Sequence, residues 1–255
     1  MILRSTLVSD FKSCPAKACY KYELGLSAIT QGKVRNDLVF GQVIHSAIQT
    51  FHEEGMDSAL TYIDDFQMDE TRRKNKQTAK ALLRSYVKNN TVSIECLEKN
   101  FQFKIGTHVW KGRFDGIGSY MGKRWVIEHK TTNPFYLILK PNDQFIAYWL
   151  GALIFYHDIE GVLINNLDCD KLEVNKFFVH FSQEEKEEWI DEMKMTAETY
   201  KRFKTKGIFP RNQSSCYAYN RLCSYISICS SSEGVRPNII KRCYKQDDRM
   251  INLEW

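Results

Sequence analysis

Residues 112–132 read GRFDGIGSYMGKRWVIEHKTT, and their apolar–polar alternation is that of two strands joined by a tight connection. A two-residue turn at Met121-Gly122 pairs Tyr120 with Lys123. Counting back along both strands sets Asp115 directly opposite Glu128, where facing Cβ atoms lie about 4.5–5.5 Å apart. Like charges so placed destabilise a sheet unless a cation or a proton intervenes. Lys130, two residues beyond Glu128, projects from the same face, and Trp110, Phe114, Trp125 and Ile127 are expected to form the apolar layer behind it. Two carboxylates and an ammonium on one face suit a divalent metal and a water. Carboxylate oxygens are ligands that Mg²⁺ prefers; the ion acidifies bound water and polarises a phosphate; a lysine stabilises charge on phosphoryl oxygens. A surface Asp–Lys–Glu ion network accounts equally well for the hairpin taken alone.

Outward from the hairpin the order is α-β-α. Ser5 can N-cap a helix running to Leu24 and ending at Gly25. Residues 40–54 form a second helix, with Phe40, Val43, Ile44, Ala47, Ile48 and Phe51 at helical spacing and His45 beside the stripe, placed to reach a cleft. Helices continue over Ser58–Val87 with a break near 68–72, and Phe101, Phe103 and Ile105 alternate as in a strand. Residues 143–157 are apolar almost all round, as in a buried helix, and carry Gln144 and Tyr148 as i,i+4 neighbours. Strands at 161–167 and 174–181 precede a helix over Gln183–Lys204, and residues 207–255 read as an irregular cysteine-rich segment.

Of the 255 residues, 43% are hydrophobic and 26% charged, which excludes a disordered chain, and 13 Gly with 5 Pro exclude a collagen-like one. The longest apolar run, Phe145 to Tyr156, falls short of the ~20 residues of a membrane span. The N-terminus has no secretory apolar region, so a soluble cytoplasmic protein without membrane contact is expected. A net charge of +5 permits a polyanionic partner, with basic runs at 72–88 and 236–249 (Arg236, Lys241, Arg242, Lys245, Arg249) and an acidic one at 184–192. Among eight cysteines, Cys216, Cys223 and Cys229 lie where apolar periodicity is weak. Three thiolates there and one from elsewhere complete a four-sulfur site for zinc or an iron–sulfur cluster; buried or free thiols are the alternative.

The ordered set His45 in GxxxH, Asp115 in GRFDG, Glu128-His129-Lys130 as ExK and Gln144…Tyr148 as QxxxY resembles the RecB-like branch of the PD-(D/E)XK nucleases. The opening Ser5-Thr-Leu…Cys14-Pro-Ala-Lys…Tyr20…Gly25-Leu is similar to that branch's first helix, and the resemblance covers roughly residues 5–232. It implies a restriction-endonuclease-like α/β core, with a mixed central sheet flanked by helices, over 1–206, and a metal-clasped segment over 207–255 packed on the same domain. It implies further that His45, Asp115, Glu128 and the His129 carbonyl bind Mg²⁺ or Mn²⁺ and that Lys130 positions the attacking water. Gln144 and Tyr148 would contact DNA or brace the site. Glu98 stands where many relatives carry another carboxylate, with Glu95 competing; the usual proline before the aspartate is Phe114 here.

A subset of that branch, which includes AddB-type and CRISPR-associated adaptation nucleases, carries a [4Fe–4S] cluster. By that resemblance Cys216, Cys223 and Cys229 join Cys14, or else Cys19, while the wide Cys216–Cys223 spacing keeps structural zinc open. FPRN at 209–212 also looks like the family. The implied activity is metal-dependent DNA hydrolysis, as an exonuclease on single strands or ends, with a recombination or replication protein as a possible partner. The basic stretches would contact the backbone, and Tyr217, Tyr219 and Tyr225 would stack on bases or pack around the cluster. The rivals are a non-catalytic DNA-binding or assembly module and a nuclease acting on RNA.

Overall fold

The computed structural model describes residues 1–29, 36–89, 91–131, 142–218 and 221–247. It opens with β1 (Ile2–Leu3), α1 (Ser5–Ser13), α2 (Pro15–Ala18), a π-helical turn (Cys19–Glu23) and β2 (Leu26–Ala28). Helices α3 (Asn36–Glu54), α4 (Met56–Asp65) and α5 (Lys76–Asn89) follow. Strands β3 (Ser93–Leu97), β4 (Asn100–Ile105), β5 (His108–Arg113), β6 (Gly116–Tyr120) and β7 (Lys123–Lys130) come next. Then come α6 (Asp143–Ala152), β8 (Ile159–Asp168), β9 (Glu173–Val179) and α7 (Gln183–Lys206). The cysteine-rich end holds β10 (Tyr217–Ala218), β11 (Arg221–Leu222), α8 (Ile226–Ser230), α9 (Arg236–Cys243) and β12 (Tyr244–Gln246). Two compact units result: Met1–Lys33, Lys104–Lys111 and Glu187–Trp255 form one, Val34–Phe103 and Gly112–Lys186 the other.

The second unit is built on a five-stranded sheet ordered β3-β6-β7-β8-β9. Only the β7–β8 pair is parallel, and parallel neighbours need a long crossover, which the segment containing α6 supplies. The β6–β7 hairpin closes with Tyr120 paired to Lys123, as its length demands. Met121 and Gly122 both take positive φ, +51° and +74°, which gives the two-residue turn the twist of its strands. Trp125 and Ile127 pack with Val92 and Leu163 on one face. The stripe Phe40, Val43, Ile44, Ala47 and Ile48 of α3 is wholly buried with Ile63 of α4, Leu82, Leu83 and Tyr86 of α5, and Leu167 of β8.

The expected layer behind the hairpin is only half right. Alternation is interrupted at Phe114-Asp115, between β5 and β6, so Trp110 and Phe114 do not extend the β6 face. Trp110 instead belongs to β5, which pairs in parallel with β1, and its ring lies 5.0 Å from that of Trp189. Phe114 stacks on Phe101 at 4.3 Å and meets Tyr148 edge-on at 5.6 Å. The buried helix also ends early, at Ala152. Phe155 N–H turns back to the Ala152 carbonyl, and Ile154 and Phe155 are exposed. An apolar run signals burial without fixing where a helix stops.

In the first unit the single helix expected over 5–24 is three pieces. Proline at 15 restricts the residue before it, and Cys14 is extended (φ −160°, ψ 111°) between α1 and α2. Ser5 is the first helical residue; Arg4 occupies the N-cap position and makes no side-chain cap bond. Gly25, at φ +60°, follows the last turn as a terminating glycine should. The pieces are drawn together by the Asp10 carboxylate, which pairs with Lys17 at 2.7 Å and Lys21 at 2.8 Å and accepts from the Tyr22 hydroxyl at 3.1 Å. The cysteine-rich end has its own small core, in which Tyr225, Ile228 and Tyr244 pack with Leu26. No helix among the described residues is long and apolar enough to cross a membrane.

Candidate active site

Asp115 lies just ahead of β6, and the β6–β7 register continues to place it opposite Glu128. Its Oδ2 accepts the His129 backbone N–H at 2.8 Å and lies 3.3 Å from Nδ1 of His45, which α3 presents from beside its buried stripe. Burial alone would raise the Asp115 carboxyl. The bond and charge of His45, with the His129 N–H, outweigh it and hold the group well below the ordinary carboxylate range. His45 is correspondingly raised: burial lowers it, but the Asp115 carboxylate prevails.

Glu128 is enclosed, at 1% exposure. Its Oε1 pairs with the Lys130 ammonium and accepts from Gln144 Nε2 at 3.1 Å, while its Oε2 is buried with no hydrogen-bond partner among the described residues. Burial, then the charge of Asp115, pushes Glu128 up to about 7 against the pull of Lys130. Lys130 is raised as well, because Glu128 outweighs its desolvation, so it stays an ammonium. Gln144 ties the set together: its Oε1 accepts from Lys130 at 3.2 Å, and its Nε2 also faces the Tyr148 hydroxyl at 2.9 Å. Asn142 caps α6 by accepting the Gln144 and Phe145 N–H groups, which fixes the turn that presents Gln144.

His129 projects to the opposite face, where its ring meets Tyr86 edge-on at 5.3 Å; burial drops its imidazole to about 3, so it is neutral. Glu98, at φ +47°, pairs with Arg113 at 2.8 Å, and its carboxyl is raised by burial and by Asp115. Glu95 instead binds Ser119 and Arg124, so of the two competing carboxylates Glu98 borders the site. Arg113, Asn142 and the buried pair Asn165-Asn166 on β8, opposite His129 and Lys130, were not singled out from the sequence. Two adjacent asparagines in an otherwise apolar strand were the available signal.

The cysteines form a separate constellation within the first unit. Cys14, Cys216, Cys223 and Cys229 line one cavity of about 180 Å³ together with Lys17, Arg211 and Tyr225. Asn212, in FPRN, donates its N–H towards the Cys14 sulfur at 3.3 Å and its side-chain amide to the Ser13 carbonyl at 2.8 Å. The Tyr20 hydroxyl lies 3.9 Å from Cys229 Sγ. Burial raises the Cys223 thiol, Lys17 opposes this, and Cys14 and Cys229 add to it. Cys19 does not line the cavity; burial and Glu23 push its thiol up to about 11. Among the described residues, no three His, Cys, Asp or Glu side chains stand close enough as placed to hold one metal ion.

One expected nucleic-acid contact needs correction. Tyr225 is buried, its hydroxyl bonded to the Leu26 carbonyl at 2.7 Å, so it cannot stack on a base. Tyr217 is exposed; Tyr219 and Arg249 lie outside the described residues. In the basic run, Arg72 pairs with Asp69, Arg73 with Asp170 and Lys80 with Asp64, so part of its charge is compensated within the protein.

The sequence model of the PD-(D/E)XK nuclease superfamily matches residues 6–230. Among solved structures, an exonuclease candidate from Eubacterium rectale is similar over 91% of this chain and 94% of its own, with a TM-score of 0.56 and 11% identity. That likeness speaks for the fold. No curated protein matches the chain in sequence.

Proposed function

The chain belongs to the PD-(D/E)XK nuclease superfamily, and from that premise we propose a Mg²⁺- or Mn²⁺-dependent deoxyribonuclease of the RecB-like branch. It acts as an exonuclease on single strands or DNA ends, in recombination, repair or replication. The observation that carries the reading is one linked set: Lys130 and Gln144 engage Glu128 Oε1, His45 stands beside Asp115, and Glu128 Oε2 lies buried with no hydrogen-bond partner among the described residues. Carboxylate oxygens, a peptide carbonyl and an imidazole fit a Mg²⁺ or Mn²⁺ ion. Asp115, Glu128, His45 and the His129 carbonyl are assigned to hold it. When bound, the ion supplies Lewis acidity towards a phosphoryl oxygen and an acidified water.

The chain's own groups do the rest. Lys130 is held protonated by Glu128, so it donates hydrogen bonds to the attacking oxygen or the phosphate and does not act as a base. Gln144 fixes the Lys130 and Glu128 head groups at once, and Tyr148, held neutral by burial, braces Gln144. End-labelled single- and double-stranded DNA incubated with Mg²⁺ tests the reading. Cleavage that EDTA abolishes is expected; intact DNA with either Mg²⁺ or Mn²⁺ contradicts it.

For the cavity lined by the four cysteines we propose a [4Fe–4S] cluster, with structural zinc as the alternative occupant; the thiols would draw together on binding, since as placed no three of them hold one ion. Cys14, Cys216, Cys223 and Cys229 would hold it as a clasp between residue 14 and the 216–229 segment. Freshly purified protein is expected to be brown, with absorbance near ~400 nm from thiolate-ligated Fe–S. Cys14→Ser loses the band and Cys19→Ser keeps it. Colourless protein that yields stoichiometric zinc contradicts the cluster.

A further inference from the structure

The rim beside Asp115 carries groups that the proposed chemistry leaves unused. Leu97 pairs with Gly116, Glu98 N–H donates to the Asp115 carbonyl at 3.1 Å, and Phe114 N–H donates to the Lys99 carbonyl at 3.0 Å. Residues 97–99 are therefore laced to 114–116, next to the carboxylates. Lys99 Nζ stands 3.9 Å above the Phe155 ring and 5.7 Å from the Tyr156 ring. Among the described residues no carboxylate pairs with that ammonium. Phe155 is 40% exposed despite its size. Phe155 follows three residues after the end of α6, the helix that presents Gln144 and Tyr148. Arg113, with a side chain 54% exposed, lies on the same rim through its bond to Glu98.

An ammonium on one face of a part-exposed ring offers two things to one nucleotide: a charge for its phosphate and, on the ring face the ammonium does not cover, a π-surface for its base. Bases inside a duplex are already stacked and cannot present that face. We propose that Lys99 and Phe155 form a single-strand subsite, in which Lys99 contacts a backbone phosphate and Phe155 stacks on a base of the strand whose scissile phosphate lies at Glu128 and Lys130. The subsite rests on the nuclease reading and names the part of the substrate that this rim recognises.

The test is fluorescence anisotropy of labelled oligothymidylate and of a blunt duplex with the full chain in EDTA, where binding is separated from cleavage. Phe155→Ala is expected to weaken single-strand binding about tenfold and leave duplex binding unchanged, while Phe155→Trp retains it. Lys99→Met lowers the slope of log affinity against log salt by about 0.7, the share of one phosphate on a single strand. Lys194→Ala, whose ammonium is tied to Asp191, serves as the reference and changes neither. Unchanged affinity in Phe155→Ala and an unchanged slope in Lys99→Met, with wild type that binds and cuts, overturn the subsite alone. Equal losses on duplex and single strand also overturn it. Wild type that neither binds nor cuts single strands overturns the subsite and the nuclease reading together.

Discussion

Replacing Lys130 by alanine is expected to lower the rate of DNA cleavage about 10²- to 10⁴-fold, the range for removing a positioned proton-transfer or charge-stabilising group. Affinity for DNA should change little, because the ammonium is mostly enclosed and engaged with Glu128 and Gln144. The loss therefore falls on kcat, and KM stays close to that of wild type. Arginine should not rescue it: the guanidinium is larger and planar and does not reproduce the compact ammonium that Glu128 and Gln144 hold. Single-turnover cleavage of end-labelled DNA, with anisotropy measured on the same preparations, separates the two quantities. Cleavage at the wild-type rate removes Lys130 from the site.

The second large effect is on stability. Folding raises Glu128 to about 7 from an ordinary value near 4.5, so the folded protein binds this proton more tightly than the unfolded chain does. Its contribution is fully present below the ordinary carboxylate value and is lost as pH rises towards 7. The loss is on the order of 3 kcal/mol. Asp115 has the opposite sign: its lowered carboxyl stabilises above the ordinary value and fails only on acidification. Glu128→Gln removes the first effect and keeps the shape. In metal-free protein the stability of this variant relative to wild type should therefore rise by about 3 kcal/mol between pH 4.5 and pH 8, read from urea melts. His129 titrates in both proteins, whereas His45 loses the part of its upward shift that Glu128 supplies, so the comparison reads Glu128 together with that coupled imidazole. Parallel pH profiles for the two proteins would show that Glu128 is not the group that stores this cost.

Much of this was legible because short-range rules govern it. The Met121-Gly122 turn fixes the hairpin register, and the register alone sets Asp115 against Glu128 and Lys130 beside it. The α3 stripe leaves His45 at its margin by helical arithmetic. What stayed hidden depends on partners distant in sequence. Nothing local says that Phe114 turns to Phe101 and Tyr148, or that Trp110 leaves the hairpin for β1. Cys14 and Cys19 are equivalent by spacing. Pro15 separates them, since it breaks the helix at Cys14 and leaves that thiol at the cavity while Cys19 enters the π-helical turn. Glu98 and Glu95 likewise differ only by what faces them, Arg113 for one and Arg124 for the other.

Crystals soaked in Mn²⁺ and measured at the manganese edge put the question most directly. An anomalous peak between the Asp115 and Glu128 carboxylates, absent from Asp115→Asn crystals treated alike, is the expected result. A well-diffracting wild-type crystal whose manganese sits elsewhere, with Lys130 still clasping Glu128 and no density between the two acids, would contradict the site.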